Sequence, residues 1–158
     1  SSKKTVSDIN KNKDKDNIST ILDTYSKNPK FKEDTDLLML IDSSLEESAS
    51  LFESVELRAA LRTAMESAQA TNRYLNATEP WKLSKTDPER ARTVLYVALS
   101  AINGIRVMLS PFLPFSSKKL DNLLGETTGW KRADLPPGLP IPKPEPLFQK
   151  VEIEEVNE

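Results

Sequence analysis

The chain contains neither cysteine nor histidine. Without cysteine there are no disulfide bonds and no thiolate nucleophiles, and without histidine there are no Ser/His or Cys/His catalytic arrangements. Zinc sites built on either residue type are excluded as well. A helical-bundle enzyme with a carboxylate-bridged metal pair is excluded on similar grounds, because its usual Glu-x-x-His ligands cannot exist here. Composition alone therefore excludes several common kinds of enzyme active site.

The chain also has little glycine, with only four residues, and no glycine-rich phosphate-binding loop. The opening sequence SSKKTVSDINKNKDKD has no apolar signal core. The most apolar run, Val94 to Ile105, is shorter than the ~20 residues that span a bilayer. Since 37% of the 158 residues are apolar, the sequence favours one domain with one core. We expect a cytoplasmic protein without a membrane partner.

The net charge of −2 conceals an uneven distribution. Residues 58–106 contain eight basic residues and four acidic ones, whereas residues 145–158 contain five glutamates and one lysine. The central part of the chain is thus locally basic, and the acidic total does not exclude an anionic partner. The alternative is that these charges only solvate helix faces.

Apolar residues recur at the period of amphipathic helices through most of the chain. We predict a helix from Asp34, a second from about Val55 and a third from Pro88, with Asp87 as its cap. The third is apolar over most of its circumference and is therefore expected in the middle of a bundle. The predicted buried stripes are Leu38, Ile41, Leu45, Ala49 and Phe52; then Leu57, Leu61, Ala64, Ala68 and Leu75; then Ala91, Val94, Leu95, Ala98, Ile102, Ile105 and Leu109. The third helix has a polar strip of Arg92, Tyr96, Ser100, Asn103 and Arg106.

A shorter helix follows, with Ser116 or Ser117 as its predicted cap and Gly125 at its end. The fold prediction is all-α, a helical bundle with an extended proline-rich C-terminal tail. Residues 1–30 are polar and weakly structured apart from a weak helix at 18–25, residues 31–125 form the bundle, and residues 126–158 form the extended, acidic tail. Leu147 and Phe148 are expected to anchor this tail on apolar surface.

Trp81 follows Pro80 directly, within the polar sequence NRYLNATEPWKL. One interpretation is a buried lid over the end of the bundle. The other is a ring that stacks on a base splayed out of an RNA loop, with proline fixing the backbone beforehand. Lys82, Lys85 and Arg73 are near enough in sequence for phosphate contacts, or lie on solvated faces. Asn72 either bonds a base edge or satisfies backbone groups at the helix end.

Several separate features occur together in one order. They are Arg58 before an Ala-Leu pair, Asn72 and Tyr74 two apart, Pro80-Trp81-Lys82, the Asp87-Pro88-Glu89-Arg90 helix start, the Pro-Phe-Leu-Pro break at 111–114, and Pro146-Leu147-Phe148. This order resembles the C-terminal anticodon-binding domain of methionyl-tRNA synthetase, a class I aminoacyl-tRNA synthetase, over roughly residues 34–152. The resemblance implies an α-helical bundle that binds the anticodon stem and loop of methionine tRNA, not DNA. It also implies that Trp81 stacks on an anticodon base.

The same resemblance implies that this chain is one domain of a longer enzyme, whose catalytic domain is a separate one. The catalytic motifs of that family include histidine and a Lys-Met-Ser-Lys-Ser-type loop, and neither occurs here. ATP and methionine are therefore expected to bind the catalytic domain of the parent synthetase, a partner of this chain, while this chain itself holds no cofactor and no metal.

One position departs from the family pattern. Counting back from ILDTY places Asn12 and Asp16 where the family has an asparagine and an arginine one turn apart. A carboxylate would then replace the arginine that helps to read the anticodon. This departure leaves a second hypothesis, a helical-bundle interaction module that no longer binds tRNA and docks on another protein through its polyproline segment or acidic tail.

Overall fold

The structure is a computed structural model that describes residues 31–125, 129–133, 135, 143 and 146–148. Over these ranges the chain forms five helices and no strand. They are α1 (Lys32–Glu53), α2 (Leu57–Thr78), α3 (Pro80–Thr86), α4 (Pro88–Leu109) and α5 (Pro114–Leu124). The prediction of an all-α bundle is confirmed. The predicted weak helix at 18–25 and the positions of Asn12 and Asp16 lie outside the described residues, and the three segment boundaries stay predictions.

Helix α4 is the central element, as its composition predicted. It packs against all four other helices, while α1 and α2 also pack on each other. It has more buried residues than any other described helix. They are Ala91, Val94, Val97, Ala98, Ser100, Ala101, Asn103, Gly104, Ile105, Arg106, Val107 and Met108. Asp87 caps it as predicted, because its carboxylate accepts the backbone N–H of Arg90 at 3.1 Å.

The full length of α4 exceeds the apolar run identified in the sequence. It has 22 residues, and an 18-residue stretch within it has a mean hydropathy of 1.3, so length and composition alone would allow it to cross a bilayer. In the fold, 61% of that apolar stretch is buried inside the protein. Its place at the centre of the bundle therefore accounts for its apolar character.

The predicted polar strip of α4 and its apolar stripe both need correction. Leu95 was expected in the core but is 48% exposed, whereas Ser100, Asn103 and Arg106 are buried. Arg106 is covered by α5, where it forms an ion pair with Asp121. Asn103 accepts the backbone N–H of Ala133 at 2.8 Å. Later segments of the chain thus cover polar positions that local periodicity assigned to solvent.

Helix α2 buries part of the predicted stripe, since Ala64 is buried and Ala68 and Leu75 pack partly buried against the core. Its buried residues are Ala60, Thr63, Ala64, Ser67, Thr71 and Tyr74, whereas Leu57 and Leu61 are exposed. Most of these buried side chains are small, which lets helices approach closely. The hydroxyls of Ser67 and Thr71 donate to carbonyls one turn back, at 2.9 and 3.0 Å, so their burial leaves no hydroxyl unbonded.

Close approach also governs the contact between α1 and α4. A Cβ atom added at Gly104 would lie 2.4 Å from Cγ2 of Ile41, which is fully buried in α1. Only glycine fits there without displacing its neighbour. In α1 itself, Leu37, Ile41 and Leu45 are buried, while the predicted Leu38 and Phe52 are partly exposed.

Helix α5 begins at Pro114 rather than at a serine cap. Leu113, at the N-cap position just before the helix, makes no side-chain capping bond, and the predicted cap Ser117 instead donates to the carbonyl of Arg106 at 3.4 Å. Proline at the first position explains the start, since the N–H it lacks has no helical partner there. Gly125, with φ 88°, ends the helix as predicted.

The described residues after α5 fold back over the bundle without forming a helix. Trp130 donates from Nε1 to the carbonyl of Leu45 at 2.8 Å, and its ring meets that of Phe52 edge-on at 5.3 Å. Leu147 is half-buried and lines a cavity of about 230 Å³ between α2, α4 and α5, so its predicted anchoring role is confirmed. Phe148 lines the same cavity but remains 67% exposed, which makes it a weak anchor.

Candidate nucleic-acid interface

The turn between α2 and α3 is sharply defined by its backbone. Glu79 adopts the left-handed conformation (φ 43°, ψ 59°), and its N–H donates to the carbonyl of Leu75 at 2.9 Å. Its own carbonyl accepts the N–H groups of Lys82 and Leu83 at 2.9 and 3.1 Å. Pro80 occupies the first position of α3 with its φ fixed by the ring, and it is buried. The backbone that carries Trp81 is therefore held on both sides.

Trp81 projects from this turn with 54% of its surface exposed. Burial on α3 is provided by its neighbours Pro80 and Leu83 instead. The accessible ring expected for stacking is present, and the fully buried ring expected for a lid is not. An exposed tryptophan on a fixed backbone presents its π-face at little entropic cost to a partner that binds it.

Two lysines lie on the same short helix. The ammonium of Lys82 lies 2.7 Å from the carboxylate of Glu79, and both side chains are exposed. Lys85 is exposed in the last turn and has no ion-pair partner among the described residues. The structure thus brings Pro80, Trp81, Lys82 and Lys85 together on α3.

Asn72 and Arg73 are both exposed on α2 but lie on different sides of it. Asn72 lines the 230 Å³ cavity beside α4 and α5. Arg73 lines a groove between α1 and α2, together with Glu33 and Asp36. Since α2 continues to Thr78, Asn72 is inside the helix, and the interpretation that it satisfies backbone groups at the helix end is wrong.

Sequence reasoning missed a buried polar cluster at this end of the bundle. Asp34 of α1 accepts the hydroxyl of Tyr74 on Oδ1 at 2.7 Å. The guanidinium of Arg90 donates to both oxygens of the same carboxylate, with Nη2 2.8 Å from Oδ1. The ring of Phe31 lies 5.2 Å from that guanidinium. We call these four residues the Asp34 cluster; the only signal for it in the sequence was an acidic residue in the first turn of a helix.

The electrostatics of the Asp34 cluster favour one protonation state. Burial, followed by the hydrogen bond to Asp34, raises the pKa of the Tyr74 hydroxyl far above its ordinary value of 10.0. The hydrogen bond to Asp34 also raises the pKa of Arg90. Tyr74 therefore remains a hydrogen-bond donor, and Arg90 a cation, throughout the pH range in which proteins are handled.

Comparison with known proteins decides the family. Residues 27–158 match the model of the anticodon binding domain of methionyl tRNA ligase. The chain belongs to this family. The resemblance carried by the Pro80-Trp81-Lys82 run and the α4 start is thereby confirmed.

Members of this methionyl-tRNA ligase family match over most of the chain. The methionine–tRNA ligase of Roseiflexus castenholzii is 40% identical over 150 residues, covering 75% of this chain and 25% of the relative. That of Dehalococcoides mccartyi is 42% identical over 122 residues, covering 70% and 22%. The chain thus spans about a quarter of the length of these curated relatives.

Solved methionyl-tRNA synthetases share the fold. The Mycobacterium tuberculosis enzyme bound by methionyl-adenylate matches with a TM-score of 0.67 and 28% identity, covering 74% of this chain and 25% of that one. Its apo form matches with a TM-score of 0.64. The helical bundle is therefore the fold of an anticodon-binding domain of methionyl-tRNA ligase.

Proposed function

We propose that this domain binds the anticodon stem-loop of methionine tRNA, as part of a methionine–tRNA ligase that acts in translation in the cytoplasm. The observation that carries the proposal is the half-exposed Trp81 on a fixed turn, flanked by Lys82 and Lys85, in a chain of the anticodon-binding family. ATP and methionine then bind the catalytic domain of the parent enzyme, which is the domain's protein partner.

Trp81 supplies the main energy of recognition in this proposal. Anticodon bases can leave their stack, and an aromatic ring under one of them contributes ~1–3 kcal/mol. Because Glu79 and Pro80 fix the backbone, little conformational freedom of the main chain is lost on binding. Stacking alone is tolerant of base identity, so discrimination between bases requires hydrogen-bonding groups nearby.

The two lysines of α3 supply phosphate contacts. Lys82 exchanges Glu79 for a phosphate at low cost, because an exposed ion pair contributes little to stability. Lys85 has no ion pair to exchange among the described residues. Asn72 and Arg73 take supporting roles, Asn72 toward a base edge and Arg73 toward the backbone, and their separate positions on α2 imply contacts with different nucleotides.

Titration of a methionine anticodon stem-loop at two salt concentrations tests the proposal. Trp81→Ala is expected to weaken binding about tenfold or more, while the free energy of unfolding changes by less than about 1 kcal/mol. Trp81→Phe is expected to retain part of the affinity because a smaller ring still stacks. Phe115→Ala is the matched control, since Phe115 is an aromatic residue that is 86% exposed on α5.

Two results would contradict the proposal. Equal affinity of Trp81→Ala and Phe115→Ala would remove Trp81 from the interface. No binding of the wild-type domain at either salt concentration would favour the interaction module instead, since phosphate-dependent binding must strengthen as salt falls.

A further inference from the structure

We propose that Asp34 is a positioning residue for Trp81, holding in place the segment that presents the ring to RNA. The proposal rests on the proposed function of Trp81. Asp34 lies on α1, and it acts through the two helices that flank the tryptophan.

Asp34 binds both ends of the connection that carries Trp81. Tyr74 lies in the last turns of α2, and Arg90 lies in the first turn of α4. The stretch from Glu79 to Asp87 joins these two helices and contains α3. Both flanks of this stretch donate to the carboxylate of Asp34. The buried side chain of Asp34, on a third helix, therefore fixes the distance between the end of α2 and the start of α4.

Helix α3 needs such support from its flanks. It has only seven residues, and so short a helix does not hold its shape alone in water. Its burial comes from Pro80 and Leu83, since the other side chains of α3 are exposed. Where the ring of Trp81 lies thus depends on where α2 ends and where α4 begins.

The bonding at Asp34 is suited to holding a fixed position. The Arg90 guanidinium donates to both carboxylate oxygens, and such bidentate pairs restrict orientation as well as distance. The backbone N–H of Arg90 is in turn bonded to Asp87, the residue that ends the connection. A displacement of Arg90 would therefore also disturb the cap at the start of α4.

Asp34→Asn separates positioning from charge. The amide keeps the size of the side chain but replaces one acceptor oxygen with an NH₂ donor. In either orientation this donor faces an Arg90 donor, and at the position of Oδ1 it also faces the hydroxyl of Tyr74. The substitution also removes a negative charge from the domain, which by itself would strengthen binding to RNA. If this variant binds RNA more weakly, the loss of charge cannot be the cause, because that loss alone would make binding tighter.

Asp42→Asn is the matched control. Asp42 lies on the same helix and also accepts two bonds from an arginine, with Arg132 Nε and Nη2 at 3.0 and 2.9 Å. Asp42→Asn therefore makes the same change of atoms and charge in a carboxylate–arginine pair whose arginine follows α5. Neither residue of this pair belongs to α2, α3 or α4. Tyr74→Phe is a milder second variant, which removes one hydroxyl and keeps the Asp34–Arg90 pair.

The experiment uses a Trp130→Phe background, so that Trp81 is the only emitting tryptophan of the chain. Fluorescence anisotropy reports the mobility of Trp81, acrylamide quenching reports its accessibility, and a stem-loop titration at two salt concentrations reports affinity. Asp34→Asn is expected to lower the anisotropy and to weaken binding about 2- to 10-fold, the range for one additional side chain that must be ordered. The salt dependence should be unchanged, because no phosphate contact is lost. Tyr74→Phe should give a smaller effect in the same direction, and Asp42→Asn none.

The outcomes separate the inference from the proposed function. Unchanged anisotropy and equal or tighter binding in folded Asp34→Asn would overturn the inference, while leaving Trp81 as the stacking residue. If Asp34→Asn does not fold, the same readouts on Tyr74→Phe decide, and an unchanged anisotropy and affinity would overturn it. If Trp81→Ala binds like the wild type, the proposed function fails instead, and with it the purpose of the positioning.

Discussion

Arg90 and Asp34 are 56 residues apart in the chain, yet their side chains form a bidentate pair with Nη2 2.8 Å from Oδ1. Only 10% of the Arg90 side chain and 7% of the Asp34 side chain are exposed. The pair joins the N-terminal ends of α1 and α4, and Tyr74 adds the C-terminal part of α2 through the same carboxylate. Three helices thus meet at one charged group.

Removal of this carboxylate should destabilise the bundle strongly. Asp34→Ala leaves the buried guanidinium of Arg90 without its counter-ion, so the free energy of unfolding should fall by about 3–5 kcal/mol. Asp36→Ala is the control, because Asp36 forms an exposed pair with Lys32 one turn along the same helix. Urea unfolding of both variants tests this, and equal midpoints would show that the buried pair adds no more than the exposed one.

Alkaline pH should destabilise the protein through Tyr74. Its pKa is raised in the folded state, so the unfolded chain loses the proton first, near pH 10. The contribution of Tyr74 is fully present below that pH and is lost as pH rises above it, by at most about 1.4 kcal/mol per pH unit. Tyr74→Phe lacks this component. Unfolding free energies of both proteins between pH 8 and about pH 11 measure it, and parallel curves would contradict it.

The orientation of α4 predicts opposite outcomes at two successive residues. Val94 is fully buried and Leu95 is 48% exposed. Val94→Asp should cost several kcal/mol because an unpaired charge enters the core, whereas Leu95→Asp should change the unfolding free energy by about 0.5–1 kcal/mol at most. Thermal unfolding followed by circular dichroism measures both. A larger loss at Leu95 would mean that the helix is rotated.

The tail contact at Leu147 should contribute modestly to stability. Leu147→Ala removes a half-buried side chain from the cavity beside α2, α4 and α5, and should lower the unfolding free energy by about 1 kcal/mol. Phe148→Ala is the control, because that ring is mostly exposed. Deleting residues 147–158 should leave the bundle folded with a lower melting temperature. An unchanged melting temperature would mean that the tail is free of the bundle, or that it docks only on the catalytic domain of the parent enzyme.

Lys85 should affect RNA binding differently from Trp81. If Lys85 contacts a phosphate, Lys85→Ala weakens binding to all RNA stem-loops alike and reduces the salt slope by about one unit. Trp81→Ala should leave that slope unchanged. Lys131→Ala serves as the control, since Lys131 is an exposed cation after α5. Equal slopes for the Lys85 variant and the wild type would exclude the phosphate contact.

Local chemistry was sufficient for much of the fold. The start of α4 followed from Asp87 and Pro88, because capping and a fixed φ act within one turn. The central place of α4 followed from its apolar circumference, and the end of α5 from Gly125. Trp81 was identified because a tryptophan after proline in polar sequence has few local reasons to be there.

Other features were decided only when the helices packed together. The face that α2 buries carries mostly small side chains, which let neighbouring helices approach closely. Asn103 and Arg106 are buried because α5 and the segment after it cover them. The Asp34 cluster joins residues 40 and 56 positions apart, a distance at which no local periodicity acts. The sequence by itself determined the all-helical class, the start of α4 and the end of α5, whereas the tertiary structure determined which side chains meet, because such meetings depend on the relative placement of whole helices.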